Sequence, residues 1–458
     1  MLKNLLKKAA FSFLTIVTFW FLFGYSPSKK IPDDGKKHIQ LWIITGQKEE
    51  IPYSVRMFNT VQDSIVIDLT AIPWQEHEKK ILTAILSGNP PDLVSQFIPV
   101  AQWAARLALT PIDDFIQTDQ FDTTVFFPAL WQEMKWKGQT FALPWKTASY
   151  AFFYNNGLFK EAGLDPSKPP KTWSDVIEYS KKLVRRDEQG RLEQMGFIAD
   201  YGVLPGHGDM PTSILIAWQL GAQFLSADGS KVSITNAATV KGLEWVVNFN
   251  RSYDTKELSA FISGFGYAEQ HAFLSNKVAM MCLQNTFIEH INLYRPNMDY
   301  TVCPIPSFEG STTVSSSGSW WLGIPRGARH SKSAWEFMKF AVGEKTQIEE
   351  SLEMEEPLFP ANHLAANDPA FIKDEKTRVF VKQMELSHSP AVVPLTHGVF
   401  WREYTMARER AVRGLQTPLE ALEQAEKQVQ LELDKAVRYD NYVRREIRFE
   451  SRSNNFSN

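Results

Sequence analysis

The stretch IQLWIIT (residues 39–45) begins the pattern that decides the fold of this chain. Two similar runs follow it, IVIDLTAI (residues 65–72) and DLVSQF (residues 92–97). Apolar and β-branched residues dominate these runs, as they do in buried β-strands. Helical patterns lie between the runs, and the second helix is stopped by GNPP at residues 88–91. Strands that alternate with helices at this spacing predict a parallel α/β sheet.

The carboxyl ends of these three strands should meet at one edge of the sheet. Thr45 to Gln47, Trp74 and Ser95-Gln96 occupy those ends. Ligands of open parallel sheets bind at that edge, so we expect binding residues there. Trp74 is also predicted to begin the second helix, whose buried face would be formed by Ile81, Leu82, Ile85 and Leu86.

The composition excludes several classes of protein. The chain has 458 residues and a formal net charge of −3, from 49 basic and 52 acidic side chains. This length suggests about two or three domains, each large enough to bury a core. The balanced charge argues against a polybasic nucleic-acid-binding protein and against an acidic disordered chain. The sequence has no HExxH, P-loop or GxSxG motif, so it predicts no catalytic residues, no metal site and no cofactor.

The two cysteines, Cys282 and Cys303, are too few for a disulfide-rich scaffold or a multi-cysteine metal site. Both lie in strand-like runs, at residues 279–283 and 300–303. They could form a disulfide bond if those strands are adjacent, or they could be two buried thiols. The sequence leaves both interpretations open.

The amino terminus has the pattern of an export signal. Lys3, Lys7 and Lys8 precede an uncharged run at residues 9–25. Residues 1–37 are therefore expected to be a cleaved signal peptide or an uncleaved N-terminal membrane anchor, followed by a linker, with a buried core helix as the third interpretation. A lipoprotein anchor is excluded because no cysteine precedes Cys282. A signal or an anchor places the working part in the periplasm or elsewhere outside the cytoplasm.

Local patterns predict further elements. Capping boxes predict helices that begin after Thr172 and Thr417, and Trp173 and Trp335 are expected in the core. The segment STTVSSSGS (residues 311–319) predicts a polar loop, which could lie beside a ligand or hinge or be an ordinary surface loop. The acidic run at residues 349–356 predicts a solvated helix end rather than a metal site.

A set of motifs in a fixed order carries a resemblance to a known family. The most specific is YNNGLFKEAGL (residues 154–164), which PKTW (residues 170–173) follows. The others are SGNPPDL (87–93), LTPIDD (109–114), GQTFALPW (138–145), NKVAM (276–280) and AWEF (334–337). Together they resemble the extracellular solute-binding protein family 1, the maltose-binding-protein-like sugar receptors of ABC importers, over about residues 39–430.

The resemblance implies an α/β fold with two lobes, the periplasmic-binding-protein fold, in which a hinge closes an interlobe cleft on the ligand. By analogy, lobe one holds residues 38–147 and 304–352, and lobe two holds 148–303 and 353–458. The family captures a carbohydrate outside the membrane and delivers it to the transmembrane subunits of an ABC permease, without chemistry on the sugar. We expect the same of this chain, as a monomer with no nucleic-acid partner and with a membrane tether if the N-terminus is not cleaved. Its departures are the missing lipoprotein cysteine and the residues Gln47 to Glu50, where the family has small or acidic side chains.

The resemblance also implies where a ligand binds. A sugar ring has an apolar face and a belt of hydroxyl groups, so its site needs aromatic platforms beside amide and hydroxyl groups. Trp320 and Trp321 are neighbours, so only one of them can face the cleft in extended chain. Gln284 and Asn285 have an alternative role, since they could cap the next helix. The expected ligand-binding residues are Thr45, Gln47, Gln96, Trp145, Ser149, Trp218, Gln284, Asn285, Trp320 and Trp401.

The sequence also bears on the class of ligand and on two other possible functions. A phosphate or sulfate would need converging Arg or Lys side chains, and Arg326 and Arg329 lie in a turn that predicts a surface position. A neutral mono- or oligosaccharide or a polyol is therefore favoured. A membrane-tethered solute sensor would retain the N-terminal anchor. A secreted glycan-degrading enzyme would need two carboxylates across the cleft, and no pair is singled out.

Overall fold

The computed structural model describes residues 34–45, 51–200, 210–353 and 358–455, as a mixed α/β fold. The strands are β1 (Lys37–Thr45), β2 (Ile65–Pro73), β3 (Leu93–Gln96), β4 (Lys135–Trp136), β5 (Gln139–Thr140), β6 (Ala142–Asn155), β7 (Arg185–Arg186), β8 (Leu192–Phe197), β9 (Val278–Gln284), β10 (Tyr300–Cys303), β11 (Ser315–Gly323), β12 (Phe359–Pro360) and β13 (Ser387–His388). The helices are α1 (Tyr53–Val61), α2 (His77–Leu86), α3 (Val100–Ala105), α4 (Asp113–Thr118), α5 (Pro128–Glu133), α6 (Asn156–Glu161), α7 (Trp173–Leu183), α8 (Thr212–Gln219), α9 (Ala237–Asn250), α10 (Thr255–Ser263), α11 (Phe287–Tyr294), α12 (Ser331–Ala341), α13 (Glu344–Glu353), α14 (His363–Asn367), α15 (Glu375–Glu385), α16 (His397–Val412) and α17 (Pro418–Asn455).

The first half of the sheet has the strand order β2–β1–β3–β11–β6. Strand β1 runs parallel to β2 and to β3, which confirms the parallel unit predicted from the three N-terminal runs. Strand β11 comes from far along the chain and pairs antiparallel with both β3 and β6. The sheet of the first lobe is therefore completed by a late segment of the sequence.

Strand β6 joins the two halves of the sheet. Its residues 142–149 pair with β11, whereas residues 150–155 pair with β9 and β10. Strand β8 extends the second half beside β9, and the whole order continues as β6–β9–β8–β7. One continuous strand thus links the lobes and changes partners between Ser149 and Tyr150. The domain boundaries given above remain a prediction.

Apolar side chains form separate cores around each half of the sheet. Trp335 packs with Leu143 and Leu322 in the first lobe, and Trp173 packs with Phe152 and Phe197 in the second. Both tryptophans are at most 2% exposed, which confirms their predicted core positions. The helix α17 adds its apolar stripe to the second core through Leu422, Ala425, Val429 and Leu433.

The predicted capping boxes are both present. The Thr172 hydroxyl accepts from the Asp175 N–H at 3.1 Å, and the Asp175 carboxylate accepts from the Thr172 N–H at 2.9 Å. Thr417 and Glu420 make the same reciprocal pair at the start of α17. Each pair satisfies backbone donors that have no partner inside the helix.

Three local predictions were wrong in whole or in part. Helix α2 begins at His77 rather than Trp74, and Leu86 is 87% exposed instead of lying on the buried face. Residues 315–319 form part of β11 rather than a loop, because their short side chains fit between packed strands and the Ser315 hydroxyl donates to the Tyr150 carbonyl at 2.7 Å. Glu350, in the acidic run, is 4% exposed because it forms an ion pair with Lys146.

The two cysteines are buried free thiols. Cys282 on β9 and Cys303 on β10 both pair with Phe152, from opposite sides of β6. Two strand spacings separate their backbones by about 10 Å. A disulfide requires Cα atoms less than about 7 Å apart, so these two cannot be bridged in this arrangement. Burial raises the pKa of the Cys303 thiol, which keeps it protonated.

Candidate ligand-binding site

A row of aromatic rings lies along the strand ends of the first lobe. Trp74 directly follows β2, Phe97 directly follows β3, and Trp320 belongs to β11. The Trp74 and Phe97 rings are stacked, with centroids 4.3 Å apart and planes 13° apart, and Trp320 lies 6.0 Å from Phe97. Trp74 is 46% exposed. This aromatic row, defined as Trp74, Phe97 and Trp320, offers a flat apolar surface at the edge where ligands of such sheets bind.

Two polar side chains near these strand ends keep atoms that have no hydrogen-bond partner among the described residues. Nδ1 of His77 donates to the Trp74 carbonyl, which leaves Nε2 as an acceptor, and the His77 ring lies 5.5 Å from Phe97. Among the described residues, neither His77 Nε2 nor either amide atom of Gln96 has a partner. Both side chains are buried, and buried polar groups are normally satisfied. The aromatic row therefore lies near buried polar atoms that have no hydrogen-bond partner among the described residues.

Trp320 and Trp321 diverge as expected for neighbours in a strand. The β11–β6 register is irregular between them, and Trp321 turns into the core. Its ring packs edge-on against Trp103 at 6.1 Å, and its Nε1 donates to the Ile98 carbonyl at 2.9 Å. Trp320 is the member of the pair that reaches the aromatic row.

Three further candidates, Ser149, Gln284 and Asn285, lie where β6 changes partners. The Asn285 side chain accepts from the Ser149 N–H at 2.8 Å, and the Ser149 carbonyl accepts from the Asn285 N–H at 3.0 Å. The Gln284 amide donates to the Tyr150 hydroxyl at 2.9 Å. Helix α11 starts after Thr286 without a side-chain cap. Gln284 and Asn285 thus join β9 to β6 instead of capping that helix, and their role toward a ligand remains a prediction, as does that of Ser149.

Trp401 stands on the second lobe, on the first turns of α16. Its Nε1 donates to the Pro390 carbonyl at 3.1 Å, and its half-buried ring lies 6.3 Å from His397. Burial lowers the pKa of His397 to about 4, so this imidazole is neutral near pH 7. Trp401 is fixed in orientation and keeps part of its ring accessible, as a stacking platform requires.

Two of the remaining predicted residues, Trp145 and Trp218, lie in the cores rather than at the aromatic row. Trp145 is 4% exposed in the core of the first lobe, with Lys146 Nζ 4.5 Å from its ring centre. Trp218 is 5% exposed in the second core and is stacked on His388 at 5.1 Å. Thr45 ends β1 at the same edge as the row. Gln47 lies outside the described residues.

Sequence reasoning placed Trp74 at this edge but missed Phe97 and His77 as its neighbours. The sequence signal for Phe97 was its position, since Phe97 follows a strand as Trp74 does. Arg326 and Arg329 are both exposed, as predicted, and Arg329 donates to the Asn89 amide at 3.2 Å. These two cations therefore do not converge on a common anion site.

The described part of the chain holds neither a metal-binding cluster nor a membrane-spanning helix. Within residues 34–45, 51–200, 210–353 and 358–455, no three His, Cys, Asp or Glu side chains form a group that could hold a metal ion. In the same residues, no helix is both long and apolar enough to cross a membrane.

Comparisons with curated proteins give relatives over part of the chain. The sn-glycerol-3-phosphate-binding periplasmic protein UgpB of Shigella flexneri serotype 5b is 33% identical over 108 residues, which is 22% of this chain and 24% of that protein. The protein of the same description from Escherichia coli K12 is 32% identical over the same length. The chain thus spans about a quarter of the length of the curated relatives it matches.

Solved structures match over most of the chain. CpMnBP1 with mannotriose bound superposes with a TM-score of 0.66 at 26% identity, over 86% of this chain and all of that one. The sugar-binding protein MalE from Xanthomonas citri gives a TM-score of 0.71 at 18% identity, over 87% of this chain and 98% of that one, and so shares the fold. These matches establish the two-lobe periplasmic-binding-protein fold. The family model for bacterial extracellular solute-binding proteins matches residues 62–348. Because that match covers more than half of the sequence, the chain belongs to the bacterial extracellular solute-binding protein family.

Proposed function

We propose that this protein is the extracytoplasmic substrate-binding component of an ABC importer, which captures a neutral carbohydrate between its lobes and delivers it to a membrane permease. The observation that carries the proposal is the aromatic row at the strand ends of lobe one, beside the strand that links both lobes. Trp74 keeps 46% of its surface exposed although it is stacked on Phe97. An exposed, pre-stacked indole suits the apolar face of a sugar ring.

Neutral polar groups supply the other half of sugar recognition. Hydroxyl groups both donate and accept, so they need mixed partners. Gln96 offers an amide donor and an acceptor, and His77 Nε2 offers an acceptor, all without partners among the described residues. On the opposite lobe, Trp401 offers a second platform. A ligand held on both sides would favour the closed form, because it gains contacts there that the open form lacks.

The relatives differ in the ligand that their names print, and the site favours one of them. UgpB is described as binding sn-glycerol 3-phosphate, whereas CpMnBP1 is described with mannotriose bound. Phosphate recognition relies on converging Arg or Lys donors. The polar side chains described beside the aromatic row, Gln96 and His77, are neither Arg nor Lys, which supports an uncharged mono- or oligosaccharide or polyol.

The remaining parts of the proposal follow from the family. The protein would bind its sugar without altering it, as a monomer, and would be exported or tethered by residues 1–37. Its partner would be the transmembrane subunits of a permease. Cleavage of a labelled glycan into two products would contradict the binding role.

A thermal-unfolding screen tests the proposal. The full chain would be heated with mannobiose, mannotriose, maltotriose, glycerol and sn-glycerol 3-phosphate in turn. A ligand present at about 100 times its dissociation constant should add about 2.7 kcal/mol to the free energy of unfolding. Stabilisation by a neutral sugar, with the sugar recovered unchanged, supports the proposal. Stabilisation by the phosphate alone would overturn the ligand class, and no response to any solute would contradict the function.

Replacement of Trp74 by Ala should weaken the binding of whichever neutral sugar stabilises the protein. Loss of one stacked aromatic contact is worth about 1–3 kcal/mol, which corresponds to a roughly 5- to 150-fold rise in Kd. Isothermal titration of wild type and variant measures that change. Tyr442→Ala is the matched control, because it removes an aromatic ring that is 62% exposed on α17 and does not belong to the row. Equal affinities for Trp74→Ala and Tyr442→Ala would remove Trp74 from the site.

A further inference from the structure

A cavity of about 290 Å³ lies on the second lobe between α10 and α16. It shares no residue with the aromatic row or with the strand crossing. Its apolar walls come from Ile198, Leu258, Ile262 and Val412, and its mouth is formed by exposed residues of α10, Thr255, Ser259 and Ser263. The volume is close to the lower end of the range for small-molecule sites.

Arg408 on α16 lines this cavity and is only 5% exposed. In the described part of the chain, no carboxylate lies within ion-pair distance of its guanidinium, and no hydrogen bond satisfies it. By contrast, the buried acids Glu350 and Asp440 each have an ion-pair partner. Because Arg408 lines the cavity, an anionic group that enters the cavity can pair with its guanidinium group.

Two acceptors line the same cavity. Asp200 accepts from the Ser213 hydroxyl at 2.6 Å and from the Ser213 N–H at 3.3 Å, which leaves further lone pairs on its carboxylate. Asn250 donates through Nδ2 to the Val246 carbonyl at 3.0 Å, and its Oδ1 has no partner among the described residues. The cavity therefore offers donors from Arg408 and acceptors from Asp200 and Asn250.

The charges of the lining also balance. Asp200 and Glu409 are acidic, whereas Arg408 and Arg413 are basic, so the wall has no formal net charge. A simple anion would meet Arg408 but would also be repelled by Asp200. A zwitterion satisfies both, since its anionic group can face the guanidinium and its cationic group can face the carboxylate and the free amide oxygen.

We propose that this cavity is a second ligand site, which binds a small apolar α-amino acid. The ligand carboxylate pairs with Arg408, the ammonium group faces Asp200 and Asn250 Oδ1, and the aliphatic side chain packs on Ile198, Leu258, Ile262 and Val412. This site is separate from the proposed carbohydrate cleft, and binding there does not depend on the function proposed above.

Isothermal titration of the full chain at pH 7 tests the proposal with three probes. L-Leucine carries both charges, 4-methylpentanoate lacks the ammonium group, and 3-methylbutylamine lacks the carboxylate. We expect saturable binding of leucine, and binding at least about 10-fold weaker for each analogue, because each leaves one charged group of the wall unpaired. No leucine binding, or equal binding of leucine and 4-methylpentanoate, would overturn the proposal.

Variants assign the binding to this cavity. Arg408→Gln should abolish leucine binding, whereas Arg402→Gln should retain it, because Arg402 lies on the same helix but is exposed and paired with Glu403. Ser259→Trp provides a second test that does not depend on a buried residue, since the exposed Ser259 lies at the mouth and a large ring there should block entry. Circular dichroism checks the fold of each variant. Undiminished leucine binding in folded Ser259→Trp and Arg408→Gln would overturn the assignment.

Discussion

Replacing Glu350 by Ala is expected to lower the free energy of unfolding by about 3–5 kcal/mol, the usual result of breaking a buried ion pair from one side. Lys146 Nζ lies 2.8 Å from Glu350 Oε1, and the two side chains are only 13% and 5% exposed. Glu350 also accepts from the Ser54 N–H at 3.3 Å. Removal of the carboxylate takes the ion-pair partner from a largely buried ammonium group and an acceptor from the Ser54 N–H. Lys146 lies on β6, so the loss falls on the strand that links the lobes.

Urea unfolding measures this loss, and α13 supplies its own control. Glu353 on the same helix pairs with Arg56, but those side chains are 46% and 47% exposed. Exposed pairs contribute about 0–1 kcal/mol, so Glu353→Ala should have a small effect. The double variant Lys146→Met/Glu350→Ala should recover part of the stability, since no buried charge remains alone. A loss for Glu350→Ala no larger than that for Glu353→Ala would contradict the argument.

Glu133 should make stability fall as the pH rises from about 4.5 to about 7. This partly buried carboxyl group accepts from the Ser319 N–H at 3.1 Å and from the Ser389 hydroxyl. Burial raises its pKa from 4.5 to about 7. The folded protein therefore holds a proton that the unfolded chain has lost in this range, and stability present below pH 4.5 is lost by pH 7. The size of that loss is about 3 kcal/mol for this shift.

The variant Glu133→Gln cannot ionise, so it should lack this component of the pH dependence and be more stable than wild type above pH 7. Free energies of unfolding at several pH values, compared between the two proteins, measure the difference. Glu420→Gln serves as a control of opposite sign, because hydrogen bonds from Thr417 lower the pKa of Glu420 and its contribution is lost as the pH falls. Parallel curves for wild type and Glu133→Gln would show that Glu133 titrates normally.

The regular parts of the fold could be predicted because the residues that determine each part lie in a short stretch of the sequence. The three parallel strands are short runs rich in apolar and β-branched residues, and the caps at Thr172 and Thr417 need only four residues. Strand β11 could not be predicted, because SSSGSWW combines small polar residues that are typical of loops. Residues far away in the sequence pack closely on β11, and only small side chains leave room for them. A Cβ on Gly318 would lie 3.2 Å from Cγ of Pro390, and Ser317 bonds to Ser387 at 2.7 Å.

The site was predictable only in part, for a related reason. The position of Trp74 follows from the end of a strand, which the sequence marks. Trp145 and Trp218 stand beside polar residues in the sequence but lie in the cores, because the face on which a side chain falls depends on register and packing. Their predicted role as ligand platforms remains untested. His77 could not be recognised, since its importance arises from contacts with Trp74 and Phe97 that only the folded chain provides.

The pairing of β3 with β11 also fixes the order in which the chain can fold. Gln96 pairs with Trp321, 225 positions later. During synthesis at roughly 5–20 residues per second, β3 would wait about 10–45 s for its neighbour to emerge. Closing so long a loop also slows the search for the correct partner. The first lobe cannot complete its sheet until most of the second has been made, so β3 of a nascent chain lacks its antiparallel neighbour while translation continues.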